Sequence, residues 1–266
     1  MFNRVIVSVN ESQDFIDFVP VVSAAWKKFF PNVKLSIAFV SDRDENDSLV
    51  KRMNNYGDVH IFKTINGIPT SNHAKVARHI LASKFTNDIC MIEDIDTIPL
   101  QYDFFVDRTS KHQTDKLLAV GQDVYANTPY SRNFPISTMT ATGKVFKEII
   151  NPKNLLDEDI PLLFVNNYTF NIKEDISIPY PDFSDEYLMA SLIDKWGGEV
   201  IHVNRDVNTK ENWIDRGWWN IDKVELYSEK YVVCNFLRNL RENFNLISPV
   251  LDFVYGKSVS LEEVVL

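Results

Sequence analysis

Cysteine is scarce in this chain. Two in 266 residues, Cys90 and Cys234, cannot make a disulfide framework, and so low a count suits a reducing compartment. Glycine is sparse as well, with eight residues, and no low-complexity tract interrupts the sequence, which argues against disorder. No apolar run approaches a membrane span, and the opening MFNRVIVSVNES lacks the apolar core of a secretory leader. An excess of basic charge is also missing. Acids outnumber bases 37 to 28, for a formal net charge of −9. That balance disfavours nucleic acid or an anionic membrane as the main partner but leaves room for a local basic pocket. Together these absences predict a soluble, cytoplasmic protein without a transmembrane segment and with no nucleic-acid partner.

What the chain does have is apolar material, 45% of its residues, enough to bury a sizeable core. Residues 1–205 read as one catalytic-sized domain and 206–266 as a C-terminal extension packed on it. The order of patterns is strand, helix, strand, helix, strand: RVIVSVN from Arg4, a helix carrying Val22, Trp26, Phe29 and Phe30, a strand from Val33 to Val40, a charged segment over 43–54, and a strand from Val59 to Ile65. Such alternation predicts parallel crossovers. An amphipathic helix over 71–85 follows, with Lys75 and Arg78 on one side. They read equally as a solvated basic edge and as a site for an anion.

The chain is organised around DICMIEDIDTIPL, residues 88–100. Ile89 to Ile92 form an apolar run of the kind buried in a parallel sheet, and it stops in a cluster of acids. In extended backbone Asp94 and Asp96 share a face while Ile95 returns to the core. Two such charges repel by about 2–3 kcal/mol at an effective dielectric of ~20. A divalent cation would reverse that sign, and oxygen ligands favour Mg2+ or Mn2+. The structural alternative is that the chain has simply reached solvent, with Asp96 as a turn residue before Pro99.

Further along, Leu117–Val120 reads as a strand and 122–135 as a loop over the site. Phe134–Thr142 is extended, and Gly143 opens the periodic GKVFKEII, where backbone amides could face a sugar or phosphate. A helix from Asp185 to Trp196 follows Ser184 as N-cap, and Asp185 and Glu186 suit its positive end. The same two acids could bind an acceptor hydroxyl or act as a base. His202 lies in a late strand over 199–203, where a core role outweighs a ligand role. Trp213, Trp218 and Trp219 could stack on a sugar, although packing explains them better. Residues 223–254 read as mainly helical.

With these pieces in place the chain resembles a GT-A-type glycosyltransferase, through VSVN, FVSD, the AKVAR helix running into IEDIDTIPL, the TATG segment and the SDE helix, over residues 4 to 200. The resemblance implies a Rossmann-like three-layer α/β/α sandwich with a mostly parallel sheet and a helical C-terminal extension. It implies transfer of a sugar, as in the hexosyltransferases, from a nucleotide-sugar donor to a carbohydrate or other hydroxyl acceptor. Asp94 and Asp96 would hold Mn2+ or Mg2+ against the diphosphate, Asp96 more directly. Asn10 and Asp42 would meet base and ribose, Lys75, Arg78 and Asp94 the donor's phosphates or sugar, and Asp185 and Glu186 the acceptor. Where many members place a histidine ligand, YVVCNFLRNL offers Asn235, so the third ligand is Asn235, His202 or none. Two alternatives stay open. One is a non-catalytic carbohydrate- or nucleotide-binding protein of the same fold; the other is a haloacid-dehalogenase-type phosphatase, against which Ile98 stands where that pattern wants Thr or Val.

Overall fold

A computed structural model of the chain describes residues 1–121, 123, 134–161, 184–204, 212–219 and 221–266. Strand β1 (Arg4–Asn10) is followed by helices α1 (Gln13–Ile16) and α2 (Phe18–Phe29), then β2 (Lys34–Val40), α3 (Ser48–Met53), β3 (Asp58–Phe62), α4 (Thr70–Lys84) and β4 (Ile89–Ile92). Pro20 sits in the first turn of α2, where its missing N–H has no carbonyl to lose. After β5 (Thr97–Pro99) and α5 (Tyr102–Thr109) come β6 (Leu117–Val120), β7 (Met139–Thr142), α6 (Gly143–Ile150), α7 (Ser184–Trp196) and β8 (Val200–Val203). The remainder comprises β9 (Trp213–Asp215), a 3-10 turn over Arg216–Trp218, α8 (Lys223–Tyr227), β10 (Val233–Asn235), α9 (Phe244–Tyr255) and α10 (Leu261–Val264).

Among the described residues the main sheet has seven strands in the order β3-β2-β1-β4-β7-β6-β8. The chain moves outward from β1 to β2 and β3, then crosses back past β1 to β4, with β1 parallel to both neighbours. That reversal opens a crevice at the carboxyl ends of β1 and β4, the place where open α/β sheets bind ligands. Helices cover both faces. Val5, Val7 and Val9 of β1 point into one apolar cluster with α2 and α9, while Ile6 points into the other with α4, α6 and α7, as the two-residue period of a strand requires. This is the three-layer sandwich with a mostly parallel sheet that the resemblance implies.

Several expectations need correction. Residues 223–254 are not mainly helical, because β10 pairs antiparallel with β5 and parallel with β9 in a second, three-stranded sheet. The short run Val233–Asn235 is too brief to show a period of its own, and its strand state comes from the partners on either side. The start of α6 does not serve the site. Strand β7 runs antiparallel to β4, pairing Thr142 with Ile89, so Gly143 lies at the end of the sheet away from Asp94. There a Cβ on Gly143 would come within 2.3 Å of the Phe85 carbonyl oxygen: the glycine permits close packing of α6 on the end of α4. Finally, His202 is exposed rather than a core residue, on the edge strand β8. Helix α7 begins at Ser184 itself, one residue before the expected start.

Candidate functional site

The crevice is a cleft of about 610 Å³ bordered by Ser8, Val9 and Asn10 of β1, by the acid turn Asp94–Asp96, and by one face of α4. Ser71, Lys75 and Arg78 stand at i, i+4 and i+7 of that helix and share this face. Ile136 and Ser137 form another wall, and Glu186 of α7, Arg216 and Arg238 complete it. Of the residues singled out from sequence, the cleft brings together Asn10, Lys75, Arg78, Asp94, Asp96 and Glu186.

Both acids of the turn are held by arginine. Asp94 follows β4 and accepts from Arg78, whose Nη1 also donates to the Glu93 carbonyl at 3.1 Å. Arg78 is 3% exposed, so its guanidinium is fixed from two directions. Asp96 is 5% exposed and pairs with Arg216. Burial, together with the charge of Asp94, pushes the Asp96 carboxyl up, against the pull of Arg216 and Arg238. The two carboxylates do not project from a continued strand, as expected; Thr97 N–H donates to the Asp94 carbonyl across a turn. Ile95 does return to the core, 6% exposed.

Glu93 has no place in the sequence reading, and the structure gives it one. Fully buried, it accepts a hydrogen bond from the Thr138 hydroxyl at 2.7 Å and from the Asp94 N–H at 3.1 Å. Burial and the neighbouring Asp94 raise its carboxyl to about 7. Thr138 holds a left-handed φ of 54°, costly for a β-branched residue, and the Glu93 bond ties that bend to the acid turn. The loop carrying Ile136 and Ser137 is thereby fixed against the cleft.

Asn10 also is locally tied. Its Nδ2 donates to Thr70 Oγ1 at 3.1 Å and its Oδ1 accepts from the Ser12 N–H, which joins the end of β1 to the start of α4. Asp42 does not border the cleft. Its carboxylate takes hydrogen bonds from the Thr64 hydroxyl and N–H, which lower its pKa. Helix α7 carries Asp185 beside Glu186, but the Asp185 side chain lies outside the described residues, as does most of the loop expected over 122–135.

Arg216 and Arg238 come from the C-terminal part, 120 and 142 residues beyond Asp96. Strand β10 brings them in: Asn235 pairs with Thr97, and the Phe236 N–H donates to the Asp96 carbonyl at 2.7 Å. The same pairing sets Asn235 next to Asp96. The Asn235 Oδ1 is buried with no hydrogen-bond partner, an uncompensated acceptor of the kind that costs stability unless something binds it. His202, three strands from β4 across the sheet, is not brought to the acids. Among the described residues no three His, Cys, Asp or Glu side chains come together as a metal cluster. The oxygen donors lining the cleft at this turn are the carboxylates of Asp94 and Asp96, which suit a hard cation whose shell is finished by water and substrate.

Trp213 is buried against Phe104, and Trp219 packs near Phe236. Both are packing residues rather than a sugar platform, whereas the Trp218 side chain lies outside the described residues. Cys90 and Cys234 are buried free thiols, pushed up by burial, Cys90 to about 12, and so have no thiolate chemistry to offer. No helix of the described residues is long and apolar enough to cross a membrane.

No family model and no curated protein matches the sequence. Solved structures do match the fold. A galactosyltransferase named LgtC, solved with donor and acceptor sugar analogs, superposes over 98% of both chains at 10% identity with a TM-score of 0.57. The fold is that of GT-A glycosyltransferases. The glycosyltransferase GlyE of Streptococcus pneumoniae matches 99% of this chain and 62% of its own at 11% identity, with a TM-score of 0.51. In this GT-A frame the cleft falls at the switch point between β1 and β4, with the acid turn at its floor.

Proposed function

We propose that the protein is a glycosyltransferase that moves a sugar, of the hexosyl type, from a nucleotide-diphosphate donor to an acceptor hydroxyl. The observation that carries this reading is the convergence of Lys75, Arg78, Arg216 and Arg238 with Asp94 and Asp96 in one cleft at the strand ends. A diphosphate is a compact polyanion, and a pocket lined by guanidinium and ammonium groups matches it. Asp94 and Asp96, with Asn235, would hold Mn2+ or Mg2+, which when bound supplies positive charge to the departing diphosphate.

The remaining chemistry belongs to side chains of this chain. Transfer breaks the bond between the anomeric carbon and the diphosphate oxygen and forms one to the acceptor oxygen, which gives up its proton. Lys75 and Arg78 on α4, and Arg216 and Arg238 opposite, would stabilise charge gathering on the leaving oxygen. Asn10 would meet the nucleoside at the end of β1. Glu186, with Asp185 beside it in sequence, would orient the acceptor hydroxyl and take its proton. Asp42 fits a supporting role, since Thr64 occupies its carboxylate.

The test is thermal stabilisation by a panel of nucleoside diphosphates with and without Mn2+, followed by detection of glycosylated product. Ligand at a hundredfold excess over Kd stabilises by about 2.7 kcal/mol, so a cation-dependent rise in Tm with one base is the expected result. Absence of any shift, with any base, would remove the reading. Asn235 in a position where histidine is common in such enzymes favours one second reading, binding of the same ligands without turnover. Stabilisation without product would select it. The phosphatase alternative has lost its support, because it rested on the acid pair and not on this fold.

A further inference from the structure

The two arginine–aspartate pairs differ in a way that matters for cation entry. Arg78 is buried, sits within a long helix and is bound to a backbone carbonyl as well as to Asp94. Arg216 has a side chain 36% exposed and extends from a three-residue 3-10 turn. That turn is anchored without the arginine, because the Asp215 carboxylate accepts the Gly217 N–H at 2.7 Å. The Arg216 side chain can therefore leave Asp96 while the backbone beneath it stays in place. Asp96, in contrast, is buried at the floor of the cleft. A buried carboxylate stripped of its counter-ion is strongly destabilising, and Arg216 supplies that charge at contact distance. Beside the same turn lies the buried, unpartnered oxygen of Asn235. The arginine paired with Asp96 leaves this acceptor unsatisfied.

We propose that Arg216 is an exchangeable counter-ion of Asp96: it neutralises the acid while no divalent cation is bound, and turns to the donor's diphosphate once a cation takes its place. This rests on the glycosyltransferase reading above for the identity of the polyanion. The electrostatics of the exchange balance. A divalent cation beside Asp96 repels the guanidinium at the moment that an incoming diphosphate offers it new oxygens, so neither charge is left unpaired. The consequence is that cation and nucleotide bind cooperatively, and the cation alone binds weakly because it must displace Arg216 with nothing to receive it. In this scheme Arg216 sets cation and nucleotide affinity in addition to its contact with the departing diphosphate.

The experiment titrates Mn2+ alone, read by electron paramagnetic resonance of the free ion, into the full chain and into Arg216→Gln, Arg216→Lys and the double variant Arg216→Gln/Asp96→Asn. Loss of one competing charge at contact distance is expected to raise the Mn2+ affinity of Arg216→Gln by about tenfold. Its affinity for a nucleoside diphosphate at saturating Mn2+ should fall by a similar factor. Arg216→Lys, with a shorter and more strongly hydrated cation, should lie between, and it supplies the comparison if the glutamine variant does not fold. The double variant should lose the gain. Mn2+ affinity unchanged or weaker in the folded single variants would overturn the proposal, as would a gain that survives Asp96→Asn, since the cation would then sit elsewhere. The underlying reading fails separately, if wild-type protein with saturating Mn2+ binds no nucleoside diphosphate while the Mn2+ result stands.

Discussion

Glu93 makes the sharpest demand at the level of a single residue. Its carboxyl is buried between Thr138 and the Asp94 N–H, and holds its proton to about 7, against 4.5 for an ordinary glutamate. Because the folded state binds the proton more tightly, the protonated side chain contributes stability that is fully present below pH 4.5 and is lost as pH rises through 7. The window is thus about pH 4.5 to 7, and the full effect is about 3 kcal/mol. Glu93→Gln keeps both hydrogen bonds, donating to the Thr138 hydroxyl and accepting from the Asp94 N–H, without a titratable proton. Urea unfolding without divalent cation should show wild-type stability falling across that window and a smaller slope in the variant, which should be the more stable at pH 8. Equal slopes would mean that Glu93 is ionised in the folded state. Sequence could have drawn attention to Glu93 only as one acid among four. Its burial depends on Thr138, 45 residues away, and on a backbone bend that no periodicity announces.

Individual elements were legible wherever a local pattern and a tertiary partner agreed. The strands β1, β2 and β4 and the helices α2, α4 and α7 follow from apolar spacing alone, and the placement of Lys75 and Arg78 near Asp94 follows from α4 running directly into β4. Arg216 and Arg238 were not legible as partners of the acids, since they depend on three-residue strands joined by pairing between distant segments. Gly143 shows how local logic can point to the wrong end of a sheet. A glycine before a helix suggests an anion site, yet the antiparallel course of β7 turns this one toward Phe85. Gly143→Ala sets helix propensity against packing. Alanine gains at most about 1 kcal/mol in a helix interior, while a Cβ placed 2.3 Å from the Phe85 carbonyl oxygen and 2.7 Å from that of Ala82 forces backbone apart at a cost of about 1–3 kcal/mol. Packing wins, and the variant should be net destabilised in urea, with its midpoint lowered. A stabilised variant would show that α6 and α4 are not in close contact.

For the molecule as a whole, the question is whether the part beyond residue 206 is an appendage or a portion of the core. Trp213, Ile214, Val233, Phe236, Val250 and Leu251 share one buried cluster with Val5, Val7, Trp26 and Ile98. Asp17, completely buried between α1 and α2, accepts from Arg241 through both oxygens, at 2.6 and 3.2 Å, and from the Leu266 N–H. Removing the C-terminal part would expose that apolar face and leave a buried carboxylate without its cation, two of the costliest changes available to a fold. The cleft would lose Arg216 and Arg238 in the same step, so site and core depend on the same contacts. Unfolding should therefore be a single transition, although 266 residues could accommodate two independent units. Three of the five tryptophans, Trp213, Trp218 and Trp219, lie beyond residue 206, so fluorescence weights that part, while far-UV circular dichroism weights the helices on the large sheet. The two probes should give coincident denaturant midpoints, and a chain ending at residue 205 should fail to give a cooperative transition. A fluorescence midpoint well below that of circular dichroism would mean that the C-terminal part opens first, and with it the arginine side of the cleft.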